Sequence, residues 1–205
     1  IKVLHDAVDL EDYEGKPKIK STSGMPVLTY CGSLSYEKGA DLLLETATNL
    51  ENFQIIIVGG LRPEVKIYSE KSKKMNLSNI RFIGQVLPSE VPNYLNSSDI
   101  LLLPSSGKSK KSREYTSAMK LFEYLASGIP IIASNIPSNT EILTQDKNCI
   151  LFNPDDSDSL TREIKKLWQN FELREKISHN SIELSKEFTW ENRCKVIIDE
   201  IKQIK

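Results

Sequence analysis

Six short apolar runs, separated by stretches of helical periodicity, constrain the fold of this chain more than any other feature. Two of them, Ile55-Ile56-Ile57-Val58 and Ile100-Leu101-Leu102-Leu103, are apolar on both faces. That pattern is typical of strands covered by helices on each side of a parallel sheet. The alternation predicts an α/β fold, a doubly wound, Rossmann-like parallel sheet of about six strands. The predicted strands cover residues 27–30, 54–58, 80–83, 99–103, 130–133 and 149–152.

Helical patterns occupy the intervals between these runs and the last third of the chain. Apolar residues recur there at helical spacing, which predicts extra C-terminal helices, the last one opened by Trp190 and capped by Thr189. The polar segment 1–24 is interpreted as an entry segment, and residues 25–205 as one domain. Helices between the strands are predicted at residues 38–49, 63–75, 88–96, 117–127 and 139–143.

Composition excludes several classes of protein. The 205 residues are 39% apolar and 27% charged, as in soluble globular domains, and 27 basic residues balance 28 acidic ones. This balance provides no electrostatic footprint for nucleic acid. One dense basic run has two interpretations, a solvated flexible loop or a surface that helps to bind substrate phosphates. It comprises Lys108, Lys110, Lys111 and Arg113.

Cysteine and histidine usage argues against metal and disulfide chemistry. Three cysteines and two histidines lie far apart without a Cys-x-x-Cys pair, so neither a zinc site nor a disulfide framework is expected. The sequence contains neither an apolar run of membrane-spanning length nor a signal-peptide pattern, and the cytoplasm is the simplest compartment. Gly107-Lys108-Ser109 lacks the preceding glycine of a P-loop, and neither a Gly-x-Gly-x-x-Gly nor a Gly-x-Ser-x-Gly motif occurs.

A phosphate site is predicted where a polar loop leads into a short helix at residues 117–127. Thr116 or Ser117 is suited to cap that helix, whose free N–H groups attract anions. Lys120 and Glu123 share one face, while Leu121, Tyr124 and Leu125 turn toward a core. The helix rises about 9 Å from residue 117 to residue 123. This length suits phosphates at the helix end and a ribose further along.

Glycines follow three of the predicted strands, at Gly32, Gly59-Gly60 and Gly84. In an open parallel sheet ligands bind at the carboxyl ends of the strands, and glycine lets the backbone approach a phosphate or a sugar closely. Turn geometry alone is the better explanation of any single glycine, but three in phase with the strands shift the balance modestly toward a ligand site.

Residues 117–130, S-A-M-K-L-F-E-Y-L-A-S-G-I-P, resemble the donor-nucleotide motif of the retaining GT-B glycosyltransferases of family four. Ala118 stands where this variant of the motif has proline. Further matching segments occur in the family's order along nearly the whole chain. They are H-D-A-V-D at 5–9, G-S-L at 32–34, K-G at 38–39, V-G-G at 58–60, R-F-I-G at 81–84, S-D-I at 98–100, L-P-S at 103–105 and E-I-L at 141–143.

The resemblance implies a role for individual residues. Lys38 and Lys120 stabilise the diphosphate, Glu123 accepts hydrogen bonds from the ribose, and Ser33 replaces an arginine found in many relatives. The first glutamate of the family's paired motif falls on Tyr115, one residue from Glu114. The implied catalytic residues are Lys38, Lys120 and Glu114. The implied donor-binding residues are Gly32, Ser33, Lys38, Gly59, Ser117, Ala118, Met119, Lys120, Leu121 and Glu123.

The implied reaction is transfer of a sugar from a nucleotide diphosphate sugar to a glycan or lipid-linked acceptor, as in polysaccharide biosynthesis. It retains anomeric configuration and needs neither a metal nor another cofactor. The family has two Rossmann-like domains, of which this chain supplies the donor-binding, C-terminal one. The acceptor would bind the absent N-terminal domain, so the fragment alone would be inactive. Peripheral membrane association of the full-length enzyme is also compatible with the resemblance.

Two alternatives stay open, a nucleotide-sugar epimerase of similar fold and a non-catalytic nucleotide-binding module. In relatives the final helix, here with Val196, Ile197 and Ile201, crosses back toward the first domain. We therefore expect uncovered apolar residues on that helix.

Overall fold

A computed structural model describes residues 4–13 and 24–203 of the chain. Much of the predicted entry segment 1–24 lies outside the described residues. Six strands form one parallel sheet in the order β3-β2-β1-β4-β5-β6, which confirms the predicted doubly wound fold. They are β1 (Val27–Cys31), β2 (Gln54–Val58), β3 (Ile80–Gly84), β4 (Ile100–Leu103), β5 (Ile131–Ser134) and β6 (Ile150–Phe152).

Helices connect the strands and extend beyond the sheet. The last three occupy the C-terminal third as predicted, and the Thr189 hydroxyl caps the final one by accepting from Asn192 N–H at 3.1 Å. The helices are α1 (Ala40–Ala47), α2 (Arg62–Lys74), α3 (Val91–Asn96), α4 (Lys110–Glu114), α5 (Met119–Ser127), α6 (Pro137–Thr140), α7 (Ser157–Gln169), α8 (Phe171–Ser185) and α9 (Trp190–Gln203).

Helix α4 was not predicted, since it forms inside the basic run for which a flexible loop was one interpretation. Its first turn is capped by the Ser109 hydroxyl, which accepts from Ser112 N–H at 3.3 Å. The run contains no apolar periodicity, so capping and packing, rather than an apolar face, decide its conformation.

The core lies on both faces of the sheet, because successive side chains of each strand point to opposite sides. Leu28, Tyr30 and Ile57 belong to one layer, which helices α1 and α7 cover. Leu101 and Ile131 belong to the other, which includes the apolar face of α5. All five residues of β1 are buried, as expected for a central strand.

The central position of β1 determines where a ligand can bind. The chain passes from β1 to β2 on one side and later returns to pair β4 with β1 on the other side. Loops that leave the carboxyl ends of β1 and β4 therefore diverge and leave a crevice between them.

The N-terminal segment is held against the start of α9. Val8 N–H donates to Phe188 C=O at 2.9 Å, and the Arg193 guanidinium donates to the carbonyl of His5. Helix α9 has no buried residue, which agrees with the expectation of uncovered apolar side chains. Within the described ranges, every helix is too short or too polar to cross a bilayer.

Candidate functional site

The crevice is organised around the ammonium group of Lys120. Its Nζ donates to Tyr30 Oη at 2.9 Å and lies 4.1 Å from the centroid of the Tyr30 ring. Tyr30 Oη in turn donates to Ser33 C=O at 2.7 Å. A Cβ atom at Gly32, whose φ is +147°, would overlap Lys120 Nζ. Glycine is therefore required at position 32 both for the backbone angle and for the approach of the lysine.

Helix α5 points Lys120 into the crevice because its opposite face is anchored in the core. Leu121, Phe122 and Leu125 are buried against the sheet and its covering helices. The Tyr124 hydroxyl accepts from Cys31 N–H at 2.8 Å and donates to Leu102 C=O at 3.4 Å, so it ties the helix to β1 and β4. These contacts confirm the predicted division of the helix into an apolar and a polar face.

The predicted side-chain cap of this helix is wrong. Ala118 occupies the cap position, and no side chain caps the first turn within the described residues. The Ser117 hydroxyl accepts instead from Asp6 N–H at 3.2 Å, and the Thr116 hydroxyl donates to Lys111 C=O at 2.9 Å. Both hydroxyls therefore form hydrogen bonds outside the helix, and the N–H groups of its first turn have no side-chain acceptor among the described residues.

Glu123 lies on the same face of α5 and is half-buried. In the part of the chain that the structure describes, its carboxylate forms neither a hydrogen bond nor an ion pair. Burial raises its pKa, the charge of Lys120 opposes that shift, and the charge of Asp6 adds to it. A half-buried carboxylate without a protein donor is able to accept hydrogen bonds from ligand hydroxyls.

Lys38 reaches the crevice from the loop after β1. It ends a short 3-10 turn, Tyr36–Lys38, and the next residue, Gly39, has a φ of +79°. A Cβ atom at Gly39 would overlap the carbonyl oxygen of Pro104, just beyond β4. Close packing of the two loops thus places Lys38 between the ends of β1 and β4.

The charges of Lys38 and Lys120 interact. Burial lowers the pKa of Lys120 to about 7, and the positive charge of Lys38 is the next cause. Burial also lowers the pKa of Lys38, with a further contribution from the charge of Lys111. Neither Lys38 nor Lys120 forms an ion pair with any described residue, so a bound polyanion would stabilise their charged forms.

A cleft of about 320 Å³ continues from Gly32 toward the ends of β2 and β3. It contains Gly59, where a Cβ atom would overlap the carbonyl oxygen of Gly32. Glu64 also lines it, and its carboxylate accepts from Leu61 N–H at 2.8 Å. The other lining residues are Cys31, Ser33, Val58, Gly60, Leu61, Gln85, Val86 and Val91.

The structure does not bring Glu114 to this group. Its carboxylate is bound by Arg113 at 3.0 Å and lies 4.0 Å from Lys110, at the exposed end of α4. It lines a different pocket of about 240 Å³ together with Tyr115, Ser117 and Leu121. No contact joins Glu114 to Lys120 or Glu123 among the described residues.

Sequence reasoning gave no role in the site to three residues that interact with Lys120 or Glu123. Tyr30 lies within an apolar run and was interpreted only as a strand residue, yet it holds Lys120 and the loop at Ser33. Tyr13 and Asp6 come from the N-terminal segment and lie close enough to Glu123 to interact with it electrostatically. Contacts of such high sequence separation leave no periodic signal.

Comparison with known proteins identifies the family of this chain. The family model described as "Glycosyl transferases group 1" matches residues 13–184. An uncharacterised glycosyltransferase of Methanocaldococcus jannaschii is 28% identical over 163 residues, which cover 79% of this chain and 44% of that protein. The chain thus spans less than half the length of this relative.

Solved structures show the same fold. The C-terminal domain of the glycosyl transferase group 1 family protein LpcC of Francisella tularensis has a TM-score of 0.70 at 20% identity, covering 89% of this chain and 99% of that one. Anabaena HepE in complex with UDP-glucose has a TM-score of 0.81 at 18% identity, covering 98% of this chain and 57% of that one. The family match, the six-stranded sheet and the coverage of an entire C-terminal domain lead to one conclusion: this chain belongs to the group 1 glycosyltransferases and has the fold of the C-terminal domain of a GT-B enzyme.

Proposed function

We propose that this chain is the donor-binding half of a glycosyltransferase that transfers a sugar from a nucleoside diphosphate sugar. The observation that carries the proposal is the polar face of α5, where Lys120 and Glu123 are three residues apart and neither forms an ion pair among the described residues. The lysine suits a diphosphate, and the carboxylate suits the hydroxyls of a ribose.

Lys38 and Lys120 would stabilise the negative charge that develops on the diphosphate leaving group. The uncapped N–H groups at the start of α5 would add to this stabilisation. Fixed cations and helix N–H groups would replace a metal in this role, so we propose a metal-independent reaction. Retention of the anomeric configuration belongs to the proposal through the resemblance to family four.

The acceptor, a glycan or a lipid-linked sugar, would bind a second domain outside this chain. That arrangement is supported by the coverage of only 44% of the Methanocaldococcus relative and 57% of the HepE chain. Residues 1–205 alone should therefore fold and bind the nucleotide without transferring sugar. Multiple turnovers by this fragment on a defined acceptor would contradict the two-domain proposal.

The experiment that tests the donor site is titration calorimetry with UDP and GDP. Glu123→Ala should weaken binding of the matching nucleotide about 10- to 100-fold, because hydrogen bonds to a charged group contribute about 1.5–3 kcal/mol. The same variant should bind the 2′,3′-dideoxy form of that nucleotide as the wild type does. An equal loss of affinity for both nucleotides would show that Glu123 does not bind the ribose hydroxyls.

A non-catalytic nucleotide-binding module is the second candidate, and the position of Glu114 favours it. The residue nearest to the family's first glutamate is held by Arg113 and Lys110 instead of facing the crevice. An assay of sugar transfer by the full-length protein distinguishes the two candidates, because a non-catalytic module transfers no sugar. If transfer is detected, Glu114→Gln tests the role of this carboxylate. Wild-type turnover in that variant would show that catalysis does not need this carboxylate.

A further inference from the structure

Helix α4 is fastened to the turn that carries Lys38. The carbonyl of Glu37 accepts from Ser106 N–H at 2.9 Å and from the Ser112 hydroxyl at 3.3 Å. The Glu37 carboxylate accepts from the Ser109 hydroxyl at 3.1 Å. Three hydrogen bonds through one residue hold the loop before the basic helix, its cap and its first turn next to Lys38 and the end of β4.

Three of the four basic side chains in the run Lys108–Arg113 have partners within the chain. Arg113 donates to Gly107 C=O at 3.2 Å and pairs with Glu114, and Lys110 lies 4.0 Å from Glu114 and 5.6 Å from the Tyr115 ring. Lys108 lies 5.9 Å from the ring of Tyr36. Each of these charges is already engaged by the protein.

Lys111 is the exception within the described residues. Its ammonium group forms no ion pair, hydrogen bond or ring contact there, and the backbone carbonyl of Lys111 is fixed by Tyr115 N–H at 3.1 Å and the Thr116 hydroxyl at 2.9 Å. Its charge lies near enough to lower the pKa of Lys38. Lys38, in turn, lowers the pKa of Lys120.

Lys38, Lys111 and Lys120 form no ion pair among the described residues, and this arrangement of three positive charges is unfavourable in the free protein, because like charges repel. A ligand that carries several negative charges on adjacent groups removes this repulsion. A diphosphate has that chemistry, whereas a nucleoside does not. Ser33, at the end of β1, is exposed and supplies no positive charge to this edge.

We propose that Lys111 is a third cationic ligand for the diphosphate of the donor, completing a site with Lys38 and Lys120. The inference rests on the proposed function and assigns a binding role to a residue of the basic run. It also explains why α4 is fastened to Glu37. A mobile lysine would lose more conformational entropy on binding than one on an anchored helix.

Calorimetry on Lys111→Gln, with Lys110→Gln as the matched control, tests this proposal. Each variant deletes one positive charge from an exposed position of the same helix. Lys111→Gln should weaken UDP or GDP binding about tenfold, the monophosphate less and the nucleoside not at all. Lys110→Gln should stay within about twofold of the wild type, since an exposed charge outside the site acts only through screened solvent.

Two results would overturn the inference while leaving the donor site intact. One is wild-type diphosphate affinity in Lys111→Gln, and the other is an equal loss in both variants, which would indicate a general charge effect. If the wild-type chain binds neither UDP nor GDP, the proposed function fails, and the inference fails with it. Thermal unfolding of both variants shows whether any loss comes from misfolding.

Discussion

Helices α5 and α9 both carry apolar and polar faces, yet α5 buries four of its nine residues and α9 buries none of its fourteen. The apolar face of α5 is covered by this chain, so its polar face is held rigidly toward the crevice. On α9, Ile197, Ile198 and Ile201 remain between 41% and 55% exposed. An apolar helix face shows that a partner is needed, but the fold decides whether the same chain provides it.

The largest expected effect lies on the buried face of α5. Leu125 is fully buried, and Leu125→Ala should lower the free energy of unfolding by about 2–5 kcal/mol, because it removes packed atoms and leaves a cavity. Urea denaturation followed by circular dichroism measures this change. A loss below about 1 kcal/mol would mean that α5 is not anchored as the structure indicates.

On the polar face of the same helix, Lys120→Ala should change binding more than folding. We expect diphosphate affinity to fall about 10- to 100-fold, because a charge-assisted hydrogen bond contributes about 1.5–3 kcal/mol. Calorimetry measures the affinity, and Lys110→Ala controls for the loss of one charge. An unchanged affinity would show that the polar face of α5 is not part of the donor site.

The pKa of Lys120 predicts that the stability of the folded chain depends on pH. Its folded pKa of about 7 lies below that of an ordinary lysine, so from pH 7 to about 10 the unfolded chain binds more protons than the folded one. Stability should therefore rise with pH across this interval. The slope should stay below about 1 kcal/mol per pH unit, since the residue is partly solvent-exposed.

A diphosphate should reverse this shift, because it stabilises the protonated amine. Binding at pH 8 should then take up protons, which calorimetry in buffers of different ionisation enthalpy detects. Lys120→Gln serves as the control for both measurements. Proton release on binding, or the same pH slope in Lys120→Gln, would contradict this assignment.

The smallest effect is expected on α9. Ile198→Ala should change the free energy of unfolding by less than about 0.5 kcal/mol, because its side chain is already 49% exposed. Urea denaturation of Ile198→Ala and Leu125→Ala under the same conditions compares their free energies of unfolding directly. A loss of the size expected for Leu125→Ala would show that α9 is covered in solution.

Sequence periodicity was sufficient to predict the strands and the apolar and polar faces of α5. Lys120 and Glu123 are three residues apart, so helix geometry alone puts them on one side. The pairing of Lys120 with Tyr30 spans 90 residues, and no local pattern encodes it. The capping prediction failed for a related reason, since Ser117 bonds to Asp6, which is 111 residues away.

The sequence by itself determined the parallel α/β architecture, the glycines at the strand ends and the division of α5, because each depends on short-range periodicity or backbone freedom. Only the tertiary structure decided which charges meet. It fastens α4 through Glu37, whose carboxylate accepts from the Ser109 hydroxyl, and brings the charge of Lys111 close enough to lower the pKa of Lys38. Such contacts depend on how distant loops pack at one edge of the sheet, where small shifts in backbone position change which side chains lie within bonding distance.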